Sequence, residues 1–321
     1  MTDSTSSPQR ILTGLQPSGE LHIGNYFGAL KPFVDFVHGH PDHEFVLMVA
    51  DYHALTSSPG SQELHTAIYN IVRAYLAVGI DPERVVIFRQ SDNPDHFELA
   101  WIFNCLVTVP FLMQAHSYKD KIAKGIEPSA GLFTYPMLMA ADIALYDTNI
   151  VPVGEDQRQH IEYTREVVGK FNRRYGDTLL EPTEQITKSV GVIPGLDGHK
   201  MSKSYHNTIP LFASENETEQ LVMKIVTDSS GDTPVNVYAL HALFHDSAHL
   251  EELYQTHRGQ YATLKKHLAN DMNDFFRPFR QKYSAISDDD VKYILESGVI
   301  KARHISNQTM ARVRQAIGIS L

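Results

Sequence analysis

The stretch Phe45-Val46-Leu47-Met48-Val49-Ala50 has no polar residue to turn toward water. A strand of that composition is covered on both faces, the setting of a parallel sheet flanked by helices. Its surroundings fit. Residues 11–15 form a short apolar run broken by Pro17-Ser18-Gly19. Over 23–37, Phe27, Leu30, Val34 and Val37 recur at helical spacing. Over 62–78, Leu64, Ile68, Ile71, Tyr75 and Val78 do the same, and 85–88 is another apolar run. Strand–helix–strand–helix–strand order predicts an α/β fold with a doubly wound parallel, Rossmann-like sheet.

Further along, 94–106 and 132–146 are predicted as helices, a helical insertion near 94–146. A polar segment at 114–131 with Gly125, Pro128 and Gly131 separates them. A strand is predicted at 150–153, a helix at 155–171 and a long loop at 187–207. After about 210 the alternation stops. Helical spacing continues through 216–227, 248–269, 271–283, 288–295 and 301–317. The predicted division is an α/β domain over 1–210 and an all-helical domain over 211–321.

Composition bounds the function. The net charge of −10 argues against indiscriminate coating of nucleic acid. A single cysteine, Cys105, can form neither an intrachain disulfide nor a cysteine metal cage. No apolar run reaches the ~20 residues of a membrane span, and the N-terminus lacks a signal-peptide layout. A cytoplasmic location without membrane attachment is expected. None of the 17 histidines falls in a convincing H-x-x-x-H or HExxH metal context, so no metal-binding residues are assigned.

Two segments carry chemistry. Gln16-Pro17-Ser18-Gly19 and His22-Ile23-Gly24-Asn25 lie between the first strand and first helix, where doubly wound sheets bind phosphates. An ordinary turn and helix cap would have a similar composition. Lys200-Met201-Ser202-Lys203-Ser204 sits in the long loop. Two lysines interleaved with hydroxyls suit a polyphosphate. A solvated basic loop is the plain alternative. On the helix at 132–146, Tyr135, Met139, Asp142 and Tyr146 follow 4-3-4 spacing on one face. A carboxylate among apolar and aromatic neighbours needs a donor. Spacing leaves a structural partner and a ligand N–H equally open.

The HIGN and KMSKS segments together resemble the motif pair of class I aminoacyl-tRNA synthetases. Residues 13–19 (TGLQPSG), 135–142 (YPMLMAAD) and 151–157 (VPVGEDQ) are similar to the bacterial-type tryptophanyl-tRNA synthetases, in the same order. The resemblance implies activation of L-tryptophan by ATP and transfer to tRNA(Trp), with Mg²⁺ accompanying ATP. It implies His22, Lys200, Lys203 and Gln16 as catalytic residues. Nucleotide contacts would come from Gln16, Pro17, Ser18, Gly24, Asn25, Gly154, Glu155, Asp156, Ile193, Lys200, Met201, Ser202, Lys203 and Ser204. The amino-acid pocket would comprise Asp142, Tyr135, Met139, His53, Val151, Val153 and Gln157, with Asp142 reading the indole N–H. The helical third would bind the tRNA anticodon, and the protein would be a homodimer. Phe275, Phe276, Phe279 and Arg280 are candidate RNA contacts, although such spacing is commoner in cores.

Three departures stand out. Leu12 occupies a position where relatives often carry Phe. Tyr205-His206-Asn207 follows KMSKS in place of the commoner Asp-Pro. The iron–sulfur cluster of some relatives needs cysteines that are missing here, and no zinc is expected. Tyrosine activation is the nearest rival, disfavoured by the apolar Met139, Val151 and Val153. A ligase for a small metabolite and a non-catalytic paralogue are more distant rivals.

Overall fold

The computed structural model describes residues 8–17, 19–57, 59–123, 125, 127–154, 158–186, 191–227 and 233–320. Among these, β1 (Arg10–Leu15), β2 (Glu44–Val49), β3 (Val85–Arg89), β4 (Ile150–Val153) and β5 (Thr183–Ile186) form one sheet. Its order is β3-β2-β1-β4-β5 and every pairing is parallel. The strand order reverses between β1 and β4. A crevice therefore opens beyond their carboxyl ends, where such sheets bind ligands.

Alternation along the strands builds two cores. Ile11, Phe45, Leu47, Val49, Val85 and Ile87 face α2 (Lys31–Gly39) and α4 (Ser61–Ala77). Leu12, Val46, Met48, Phe88, Val151 and Val153 face α5 (Asp95–Asn104), α8 (Ala130–Ala144) and α9 (Arg158–Tyr175). Burial on both faces accounts for the unbroken apolar run in β2.

Several element boundaries differ from the sequence expectation. The helix predicted at 23–37 is α1 (Ile23–Asn25), a π-helical turn over Tyr26–Leu30, then α2. Pro32 has no N–H to return to the carbonyl of Gly28, and the turn before it widens. The described part of the helix predicted at 155–171 is α9, which runs on to Tyr175. The loop predicted from 187 is preceded by β5, a four-residue edge strand, Thr-Glu-Gln-Ile, with little apolar signal. The segments at 248–269 and 271–283 regroup as α12 (Ser247–Thr256) and α13 (Tyr261–Ala285), parted at Gly259 (φ +74°). Those at 288–295 and 301–317 are one helix, α14 (Asp288–Ile317).

The C-terminal helices share the cores of the sheet. Phe275, Phe276 and Phe279 of α13 surround Tyr26, with ring centroids 5.4–5.9 Å away. Phe276 is fully buried, and Arg280 bonds Asn273 and Thr218. These residues are core and scaffold, not a stacking platform for RNA. α14 packs on β3, α4 and α5. Its Gly298 meets β3 so closely that a Cβ there would stand 1.8 Å from the Ile87 carbonyl oxygen. Among the described residues no helix is long and apolar enough to cross a membrane.

Candidate active site

The carboxyl end of β1 leads through exposed Gln16 and buried Pro17 to Gly19. Gly19 has φ +59°, a conformation that disfavours a side chain. A Cβ at Gly19 would lie 3.7 Å from Lys203 Nζ, so this lysine reaches over the β1–α1 turn. The two motif segments are tied by backbone. Ile23 N donates to Ile209 O (3.0 Å) and Leu211 N to Leu21 O (2.8 Å). Gly24 makes the approach possible, since a Cβ there would fall 2.9 Å from His22 Nδ1 and 3.5 Å from Met201 Cβ. The Asn25 amide oxygen accepts from the His22 backbone N–H (3.0 Å).

His22 is buried and its Nδ1 has no protein hydrogen-bond partner among the described residues. Burial first, and then the Lys203 charge, push its pKa down to about 4. The ring is therefore neutral at pH 7. Burial also lowers Lys203, opposed by the Glu20 carboxylate.

The lysine loop is held by a residue the motif does not include. Asn207, 2% exposed, accepts from Ser202 N (2.8 Å) through Oδ1. Its Nδ2 donates to Asp197 Oδ1 (2.6 Å) and to the Lys200 carbonyl (3.1 Å). Met201 N donates to Ile193 O (2.8 Å), placing both buried side chains beside the crevice. Lys200 is exposed, and Lys203, Ser204 and Tyr205 form a 3₁₀ turn closed by His206 at φ +52°. The unusual Tyr205-His206 pair thus builds a tight turn and leaves Asn207 as anchor. Gly154, exposed, sits at the end of β4 across the crevice. Ser18, Glu155, Asp156 and Gln157 lie outside the described residues.

Asp142, 2% exposed, lies at the centre of a buried polar cluster. His53 Nε2 meets its Oδ2 at 2.7 Å. Its Oδ1 takes the Gln90 amide (2.8 Å) and His96 Nδ1 (2.7 Å). Burial acts to raise the carboxyl pKa, but His53 and then His96 outweigh it and hold it at about 2. Asp142 is ionised throughout the physiological range. Behind His96 the network continues. Its Nε2 meets the Tyr146 hydroxyl (2.8 Å), Asn93 Nδ2 reaches Tyr146 Oη and Ser306 Oγ (both 3.0 Å), and Ser306 donates to Asp95 (2.8 Å). Asp142, His96 and Tyr146 thus form one continuous buried hydrogen-bonded chain.

The structure brings His53 to Asp142, with the Tyr135 ring 6.1 Å from His53. Tyr135 also hydrogen-bonds His160 (3.0 Å). Met139 packs on the core formed by Leu12, Val151 and Val153, an apolar floor from β1 and β4. Tyr146 departs from expectation: it lies beyond the end of α8 and joins Asp142 through His96, not by sharing a helix face. Gln90 and His96 were missed. His96 carried a usable signal, since it begins a helix after Pro94 and follows Asp95, yet it passed as one histidine among many. A cavity of about 320 Å³ lined by His53, Tyr135, Phe97 and Trp101 lies to the side of this cluster, with Asp142 absent from its described lining.

The family model for class I tRNA synthetases of the tryptophan and tyrosine type matches residues 4–282. A tryptophan–tRNA ligase of Fusobacterium nucleatum is 43% identical over 97% of this chain and 98% of its own length. One from Campylobacter jejuni is 41% identical over 97% and 100%. The chain belongs to the tryptophanyl-tRNA synthetases of class I. A solved tryptophanyl-tRNA synthetase from Campylobacter jejuni, complexed with ADP and tryptophan, superposes with a TM-score of 0.90 at 41% identity. It covers 96% of this chain and 99% of that one. The joined motif segments and the Asp142 cluster lie on either side of β1.

Proposed function

We propose that this protein is a tryptophan–tRNA ligase that binds tryptophan through Asp142 and ATP between the two motif segments. The observation that carries the amino-acid assignment is the Asp142 cluster. A carboxylate offers about four acceptor positions. His53, His96 and Gln90 use three, two of them on Oδ1. The remaining position is on Oδ2, and it can accept but not donate. An indole N–H, which donates only, fits it. A phenol would bring a lone pair that this carboxylate cannot serve.

The tryptophan carboxylate attacks the ATP α-phosphate, giving tryptophanyl-adenylate and pyrophosphate. The terminal ribose of tRNA(Trp) then takes the aminoacyl group. No protein nucleophile is required. Catalysis rests on positioning and on donors aimed at developing phosphate charge. Lys203 over the β1–α1 turn and Lys200 on the opposite limb of its loop supply cations, neutral His22 a directed N–H, and Gln16 an amide. Mg²⁺ would neutralise phosphate charge, held by phosphate oxygens and water.

The helices after residue 210 are assigned to the tRNA anticodon. The exposed apolar Leu55, Phe97 and Trp101 beside the 320 Å³ cavity, with Val109 and Met113 close in sequence, support a homodimer. A cytoplasmic location fits this role. Exchange of labelled pyrophosphate into ATP, run separately with each of the twenty amino acids, tests the function. Exchange with tryptophan alone supports it. Exchange with tyrosine overturns the reading of Asp142, and silence with all twenty overturns the ligase assignment.

A further inference from the structure

Away from the active site, α11 (Val235–His241), the turn after it and α13 converge on one carboxylate. His241 and His245 are four residues apart, and the fold brings both to Asp271 of α13. The sequence offered no metal context for this H-x-x-x-H pair because its third member is 26 residues further on. His241 Nε2 lies 2.6 Å and His245 Nε2 3.0 Å from the same oxygen, Asp271 Oδ2. The three atoms all lie within 4.8 Å of one another.

Two observations set this cluster apart from an ordinary ion pair. The first is the outer contact of His241. Its ring is fully buried, and Nδ1 meets the Tyr254 hydroxyl at 3.3 Å. Metal-binding imidazoles are held by such a partner on the other ring nitrogen, which fixes the tautomer and turns the lone pair to the ion. The second is His245. Its Nε2 is buried and 3.0 Å from Asp271, yet the angle makes no hydrogen bond. Two imidazole nitrogens and a carboxylate oxygen thus face one small volume, and protons between them satisfy only the His241 pair. A cation at the centre would use all three lone pairs.

We infer that His241, His245 and Asp271 form a binding site for a borderline divalent cation of the zinc class. Two imidazole nitrogens and one carboxylate oxygen form an N₂O set that suits zinc and disfavours magnesium and calcium, which take oxygen ligands. The exposed His249, its ring 4.4 Å from that of His245, or a water completes four-coordination. Zinc–nitrogen bonds of about 2.0–2.1 Å put tetrahedral ligands roughly 3.3 Å apart, a small adjustment from the present spacing. The ion would clamp the turn between α11 and α12 onto α13, the helix whose phenylalanines pack around Tyr26. Its role is structural.

The test uses the full-length protein, stripped with a chelator and titrated with Co²⁺ as a spectroscopic probe, then with Zn²⁺ as competitor. One equivalent of Co²⁺ should give tetrahedral d–d absorption that Zn²⁺ abolishes, and Zn²⁺ should raise the thermal midpoint. His245→Ala, at a half-buried turn position, should fold, retain tryptophan-dependent pyrophosphate exchange and bind Co²⁺ at least tenfold more weakly. Asp271→Asn should behave alike in the titration. A His257→Ala/His267→Ala variant should bind as wild type. The absence of a saturable band in wild type, an unchanged band in His245→Ala, or its loss in the His257/His267 variant would each overturn the inference.

Discussion

Replacing Asp142 by Asn tests the amino-acid site most sharply, because the structure fixes what is lost. The carboxylate accepts from three protein donors, which leaves one acceptor position on Oδ2 for the proposed indole contact. Asn has a single acceptor oxygen, and its NH₂ would face either His53 or the pair His96 and Gln90. A hydrogen bond to a charged acceptor is worth about 1.5–3 kcal/mol, so kcat/KM for tryptophan should fall by about 10- to 150-fold. Stability also changes, since breaking a buried charged cluster costs about 3–5 kcal/mol. The substrate must therefore be varied as well as the enzyme. A tryptophan analogue with sulfur in place of the indole N–H cannot donate. Wild type should use this analogue about 10- to 150-fold less well than tryptophan, and Asp142→Asn should discriminate by less than about threefold. The assay is pyrophosphate exchange at matched fractions of folded protein. Equal discrimination in both enzymes would show that Asp142 does not meet the indole nitrogen, however large the loss in the variant.

Three further outcomes follow from other parts of the molecule. Lys265, buried on α13, donates to the carbonyls of Met223 (3.1 Å) and Ile225 (2.7 Å) after α10 (Glu215–Met223). Lys265→Met should cost about 2 kcal/mol in chemical denaturation, and an unchanged midpoint would refute the cap. Gly298→Ala places a methyl 1.8 Å from a strand carbonyl, so α14 must retreat from β3; a loss of about 3 kcal/mol or more is expected, and a neutral result would contradict the close packing. The pKa of His22 falls from the ordinary 6.5 to about 4 on folding, through burial and then Lys203, so the folded state binds fewer protons between those values. Its contribution to stability is present above pH 6.5 and is lost as pH falls toward 4. His22→Gln should flatten the pH dependence of the denaturation midpoint in that window. A slope identical to wild type would mean that His22 is not neutral in the folded state.

The central sheet was legible because its physics is local. Residues covered on both faces must all be apolar, and β2 has no other way to satisfy that. The edge strand β5 was illegible for the same reason: two of its four residues are Glu and Gln, and its pairing with β4 comes from backbone alone. Gly298 falls in the gap between the helical spacings at 288–295 and 301–317, yet it lets one continuous helix touch the sheet. Only the partner element distinguishes a glycine that ends a helix from one that lets it pack closely.

At the site, the motif residues were legible and those that hold them were not. HIGN and KMSKS are runs of chemistry in sequence, but the lysine loop is held by Asn207, which lies just past the motif. Asp142 was legible as an anomaly, a carboxylate on an apolar face. Of its partners, His53 was named with the pocket, whereas Gln90 after β3 and His96 at the start of α5 are collected by no spacing rule. The consequence is chemical as well as geometric. With burial alone Asp142 would tend to protonate and could then offer its own O–H to a phenol. His53 and then His96 keep it ionised, with a pKa of about 2, and so restrict it to accepting. In the proposed site, a preference for an indole over a phenol would therefore be set as much by His53 and His96 as by the carboxylate itself.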